Sequence, residues 1–228
     1  TPGVCWVRDR AGLNVAQRER QIAVVLGVEN ADVFQRDLNI LSALHRLGLR
    51  TCTLAWYGRN CVCDSGKESS AVGLSTFGRQ AVRRMVELGM LIDVSHMNAA
   101  GIGECLELAR GRGVFASHTN CAALCPHTRN LADEWLRRLA EAGGCVGITF
   151  VPQFLNGSER ADVADVVRHI RHAVEVMGAA HVALGTDFDG TDERVTGLER
   201  IDQIGHLAEA LLRAGFSGEL VEAVFWRN

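Results

Sequence analysis

The sequence predicts an α/β fold in which short parallel strands alternate with amphipathic helices. Three observations predict it. Six apolar runs recur along the 228 residues, at 22–28, 51–56, 90–94, 113–116, 145–150 and 181–185. Helical periodicity fills the stretches between them, as it does when a crossover helix joins parallel strands. The residues with chemical reach collect where the runs end.

The helices can be taken in order. Residues 32–47 repeat apolar side chains at Val33, Leu38, Leu41, Leu44 and Leu47, and Gly48 stops the pattern. Ser75 is placed to cap a helix through Val82, Met85 and Val86 to Gly89. Asn130 or Leu131 opens another, with Trp135, Leu136 and Leu139 on one face and Gly143-Gly144 at its end. Residues 162–177 and 198–212 follow the same rule, and 218–226 form a short terminal helix. No linker, repeat or low-complexity segment interrupts the alternation, so the chain reads as one domain over 1–228. A closed parallel barrel needs eight strands, and about six are legible here. The segment before Ile22 adds at most one short strand, at 4–7. The expectation is therefore a TIM-type (β/α) barrel that is incomplete, with an exposed sheet edge that favours a homo-oligomer.

Composition narrows the partners. Apolar residues make up 47% of the chain, enough for a sizeable core. A net charge of -3 argues against nucleic acid as the main partner. No apolar run approaches the roughly 18 residues of a membrane span. Residues 1–12 hold no leader-like stretch, and a cytoplasmic location is expected. Of the 8 cysteines, Cys52 and Cys145 lie in apolar runs, where free thiols pack as small hydrophobes. Cys61-x-Cys63 and Cys121-x3-Cys125 lack the paired spacing of a zinc knuckle, so reduced thiols are expected.

Active sites of parallel β/α barrels gather at the C-terminal ends of the strands. There the first run ends in Glu29, the third in Asp93-Val-Ser-His96, the fourth in Ser117-His118 and the sixth in Asp187-Phe-Asp189-Gly190. A single strand-end histidine is most often a hydrogen-bonded structural residue. Two on successive strands, about 5 Å apart, can share one metal. Zinc favours neutral imidazoles and a carboxylate, here His96, His118 and Glu29, with a position left for water. Asp187 reads either as a turn residue or as a proton shuttle. Arg129 reads either as a solvated cap or as a clamp for a carboxylate or oxyanion. His45, His169, His172 and His206 fall within helices, and His181 begins a strand away from the site. His127, beside Arg129, is left open.

These residues carry a resemblance. From about Gln21 onward the chain resembles the membrane (renal) dipeptidase family of zinc metallopeptidases. The matching stretches include Gly73-Leu-Ser-Thr-Phe-Gly78, Leu88-Gly-Met-Leu-Ile-Asp-Val-Ser-His96, Ala116-Ser-His118, Arg129-Asn130, Gly143-Gly144 and Gly185-Thr-Asp-Phe-Asp-Gly190, in the family's order and spacing. The resemblance implies a binuclear zinc enzyme on a (β/α) barrel that hydrolyses dipeptides, tolerates D-residues at the C-terminal position and in some members opens β-lactams. It also implies roles. Glu29 matches the glutamate that bridges two zinc ions, and His96 and His118 match the ligands of the second. Arg129 matches the substrate-binding arginine, and Asp187 the acid/base that contacts the substrate's amino group.

The chain departs from the family pattern in several places. The family's first zinc is held by a His-x-Asp pair on the first strand, and this sequence has no His-x-Asp. Only 28 residues precede Glu29, where the family has two β/α units, so the resemblance implies an N-terminally shortened barrel; the sequence also stops where the family usually adds a short closing segment. Where many members carry a histidine after the strand at 51–55, this chain has Trp56 and then Tyr57. Lys67, the only lysine, stands in a loop and not at a strand end, which favours a glutamate-bridged site over a carboxylated lysine. The expected function is a zinc-dependent dipeptidase, with one ion supported by visible ligands and two expected from the family. The alternatives are a non-catalytic member acting as a partner subunit, or a related hydrolase of another amide or lactam.

Overall fold

The computed structural model describes residues 3–68 and 72–228. The chain divides into two compact units, Thr1–Gly113 and Val114–Asn228, taken here in turn.

The first unit contains β1 (Val4–Trp6), α1 (Arg10–Arg18), β2 (Ile22–Val24), β3 (Leu26–Glu29) and a 3-10 turn at Ala31–Phe34. It continues with α2 (Leu38–Leu47), β4 (Leu49–Thr53), α3 (Thr76–Leu88), β5 (Leu91–Asp93) and α4 (Ala99–Ala109). The apolar run at 22–28 turns out to be two strands. β2 pairs in parallel with β1, while β3 begins the parallel ladder β3-β4-β5. Gly27 permits the close approach of β3 to β4, because a Cβ there would meet Thr51 Cγ2 at 2.7 Å. The helix expected over 32–47 starts later than its periodicity implies. Gln35 and Arg36 adopt positive φ (48° and 59°), which ends the 3-10 turn. Asp37 then caps α2 by accepting the Asn39 N–H at 2.7 Å. Ser75 caps α3 through Gly78 N–H at 2.9 Å, as its position implies. The core of this unit includes Phe34, Leu41, Leu54, Met85, Ile92 and Ile102, all fully buried. Each such side chain contributes about 1.5–3 kcal/mol relative to exposure.

The second unit contains β6 (Val114–Thr119), α5 (Asp133–Glu141), β7 (Val146–Ile148), α6 (Pro152–Asn156), β8 (Ala161–Asp162) and α7 (Val163–Met177). After these come β9 (Val182–Leu184), β10 (Val195–Thr196), α8 (Ile204–Arg213), α9 (Gly218–Glu222) and a π-helical turn at Ala223–Arg227. β6, β7 and β9 form a parallel ladder, and β8 pairs with β10. α5 begins at Asp133 rather than at Asn130, because the Asn130 amide donates to the carbonyls of Cys125 and Phe154 at 2.8 and 2.7 Å. α7 opens on a reciprocal capping box between Asp162 and Asp165. The three-stranded ladder of each unit gives six strands together, the number of runs the sequence shows. All eight cysteines carry free thiols, and no described helix is long and apolar enough to cross a membrane.

Candidate metal centre and its surroundings

In the first unit, Glu29 is the last residue of β3 and His96 follows β5 by three residues. The two side chains meet: His96 Nε2 lies 2.9 Å from Glu29 Oε1. The imidazole is only 9% exposed, whereas the carboxylate is 44% exposed. Unusual backbone lies at or beside both. His96 has φ +69°, and Asn30, directly after Glu29, has φ +81°. Left-handed conformations of this kind cost free energy in non-glycine residues and cluster at functional sites. The turn that presents His96 is built on Asp93, a carboxylate only 2% exposed. Asp93 accepts the Thr53 hydroxyl at 2.5 Å and the Ser95 N–H at 3.0 Å. A carboxylate and an imidazole nitrogen in contact form a donor set that suits zinc and similar divalent ions.

In the second unit, His118 lies near the end of β6 and is 9% exposed. Its Nδ1 is 2.7 Å from Ser117 Oγ. A hydroxyl at that distance from one ring nitrogen orients the imidazole, as partners of ligating histidines commonly do. Arg129 is buried (5% exposed) and its guanidinium lies 5.4 Å from the centre of the Phe154 ring. Its backbone is fixed on both sides: the Thr119 hydroxyl donates to its carbonyl at 2.6 Å, and its N–H donates to His127 Nδ1 at 3.1 Å. His127, left open by the sequence, therefore shapes the arginine loop and stacks at 4.6 Å on Phe154.

Asp187 follows β9 by three residues, with φ +58°. Gly190 leaves room for the Asp187 carboxylate in this position, since a Cβ there would displace Asp187 Oδ1. Asp187 lines a crevice with Phe150, Phe188, Glu193 and Arg194 whose volume of about 10 Å³ is roughly the space of one water. His169 is fully buried: Nδ1 accepts Cys121 N–H at 3.1 Å and Nε2 lies 2.8 Å from the Leu155 carbonyl. Burial pushes its pKa below the ordinary value. It is a core histidine, and helical periodicity alone does not reveal its bonds.

The sequence profile of the membrane dipeptidase family, peptidase family M19, matches residues 2–228. The chain belongs to this family. The match takes in β1 and α1, which the motifs from Gln21 onward do not cover. Among family members, a dipeptidase of Claviceps purpurea (tcpJ) is 35% identical over 214 residues, which is 92% of this chain and 50% of that protein. An uncharacterized dipeptidase of Schizosaccharomyces pombe is 32% identical, covering 91% of this chain and 51% of that protein. The chain thus spans about half the length of the curated relatives it matches. A metallopeptidase from Rhodobacter sphaeroides, solved with a phosphinate mimic of the dipeptide L-Ala-D-Ala, superposes with a TM-score of 0.92 at 26% identity. That alignment covers 98% of this chain and 66% of the other. A structure described as a dipeptidase of the M19 family gives 0.90 at 26% identity, with 96% and 67% covered. These likenesses bear out the expected TIM-type (β/α) fold class.

Proposed function

We propose that this chain carries the site of a zinc-dependent dipeptidase, with Glu29, His96 and His118 as metal ligands, Arg129 as substrate clamp and Asp187 as acid/base. The observation that carries the reading is the contact between Glu29 and His96, whose atoms meet at 2.9 Å at the ends of their strands. Family membership supports it, and the dipeptide mimic bound by the Rhodobacter peptidase supports a dipeptide substrate. Zinc, when bound, supplies Lewis acidity towards the scissile carbonyl and towards water.

The protein's own groups do the rest. Glu29 would bring the negative charge that offsets a divalent cation, and the two imidazoles would hold it as neutral donors. Ser117, whose hydroxyl lies 2.7 Å from His118 Nδ1, orients that ring. Arg129, fixed by Thr119 and His127, offers a planar fork of N–H donors to a carboxylate or to charge developing on the carbonyl oxygen. Asp187 accepts a proton from the attacking water and returns it to the leaving amine, so no net proton is consumed at the carboxylate.

The test joins metal content to turnover. Zinc per chain is measured beside the double variant Glu29→Ala, His96→Ala, and hydrolysis of L-Ala-L-Ala and L-Ala-D-Ala is followed by amine release. The expected result is bound zinc that the variant loses, hydrolysis that depends on it, and a loss of about 10²–10⁴-fold in kcat on Asp187→Asn. A zinc-loaded protein that cleaves no dipeptide would refute the reading and leave a non-catalytic family member.

A further inference from the structure

The loop that follows β4 lies against the Glu29–His96 pair, within the same unit. It is built rigidly from below. The Asn60 amide donates to Asn30 Oδ1 at 2.9 Å and to the Leu54 carbonyl at 2.7 Å, while its own Oδ1 accepts the N–H groups of Val62 and Cys63. Arg59 pairs with Asp64, a carboxylate 3% exposed, through two bonds of 2.6 and 3.0 Å. Gly66 N–H donates to the His96 carbonyl at 2.7 Å, and Ser65 bridges to Met97. The loop is therefore tied both to the residue after Glu29 and to His96 itself.

On this base the loop displays three large side chains. Trp56 and Tyr57 meet edge to face at 4.8 Å and are 46% and 57% exposed. The Tyr57 ring lies 6.2 Å from the His96 ring. The Lys67 ammonium sits 3.7 Å from the centre of the Tyr57 ring. Among the described residues no carboxylate pairs with it. The cation is held at a fixed place beside a candidate metal ligand, and an aromatic face partly replaces its water. An anion is the partner this arrangement lacks. The Lys67 side of Tyr57 is taken, so an apolar ligand group alone would find only Trp56 and would leave the ammonium unpaired.

We propose that Trp56, Tyr57 and Lys67 form a side-chain subsite that selects dipeptides bearing a side-chain carboxylate. The proposal rests on the dipeptidase reading above and adds a substrate class to it. Lys67 donates to the carboxylate, Tyr57 holds the ammonium in place, and Trp56 covers the methylene groups of the same side chain. The residue that differs from the family's usual histidine thus becomes a determinant of specificity.

The test uses matched pairs, Ala-Glu against Ala-Gln and Glu-Ala against Gln-Ala. Binding is measured by calorimetry to the full chain stripped of metal, so that nothing turns over. In parallel, kcat/KM is measured for the same pairs and for Ala-Ala with zinc. In one of the two pairs the acidic dipeptide is expected to bind roughly 5-fold tighter than its amide, as a partly desolvated ion pair allows. Lys67→Met should erase that ratio while leaving the amide's affinity and Ala-Ala turnover unchanged, and Lys67→Arg should keep it. Tyr57→Leu should reduce it. A ratio of one in the wild type, a ratio that survives Lys67→Met, or no binding of either form overturns the subsite. If Ala-Ala is cleaved while the ratio is one, the subsite fails and the dipeptidase reading stands. If nothing is cleaved but the ratio is present and lysine-dependent, the subsite stands and the dipeptidase reading fails.

Discussion

Replacing Thr53 by valine should destabilise the protein far more than the loss of one exposed hydroxyl would. Thr53 sits at the end of β4, 7% exposed, and its hydroxyl donates to Asp93 Oδ2 at 2.5 Å. Asp93 lies opposite it on β5 and is 2% exposed. Valine has nearly the same shape, so packing changes little and the substitution isolates the hydrogen bond. A bond to a charged acceptor contributes roughly 1.5–3 kcal/mol, and valine removes this donor without replacing it. The expected loss is therefore about 2–3 kcal/mol in urea unfolding, with the slope m unchanged. A double-mutant cycle with Asp93→Asn should return a coupling of about 1–2 kcal/mol, because the two groups act as one unit. A Thr53→Val protein within about 0.5 kcal/mol of wild type would refute the reasoning, since surface substitutions already span that range. It would mean that the Asp93 charge is satisfied without Thr53.

Three further outcomes are expected. Gly185→Ala would drive a Cβ into the backbone carbonyl of Ser117, beside His118, and to 2.9 Å from the Gly147 carbonyl; thermal unfolding should show a loss of at least about 1–3 kcal/mol, the usual cost of overpacking. Asp162→Ala removes the capping box of α7, and chemical denaturation should show a loss of about 0.5–2 kcal/mol. His169 has a folded pKa below its unfolded value because burial disfavours the charged ring. The unfolded chain therefore binds the proton more readily, and stability is full above the unfolded pKa of about 6.5 and declines as pH falls from there towards the folded pKa. A denaturation series from pH 7.5 to 5 should show this decline, and His169→Gln should flatten it.

Part of this was legible in one sequence. The alternation of apolar runs and periodic segments fixed the α/β class, because those two periods arise from the backbone geometry of strands and helices alone. Ser75, Gly48 and Asp162 marked real helix boundaries, since capping is a local bond between neighbours in sequence. Glu29, His96, His118 and Asp187 could be named because strand ends are where such a fold exposes chemistry. Other features depended on atoms distant in sequence. The run at 22–28 splits because β2 finds β1 while β3 finds β4. α4 escaped notice because Gly101 and Gly103 thin its apolar pattern; a Cβ at Gly101 would approach Met97 Cε at 2.6 Å. The helix at 32–47 was broken by left-handed residues that carry no glycine to announce them. The support beneath the site was equally silent: Asp93 with Thr53, Asn60 with Asn30, and Lys67 over Tyr57 are separated by 40, 30 and 10 residues. Sequence determines which groups a strand end can present. Only the folded chain decides which buried charges are paired and which cation is left facing outward, because those energies depend on distance and desolvation, not on order along the chain.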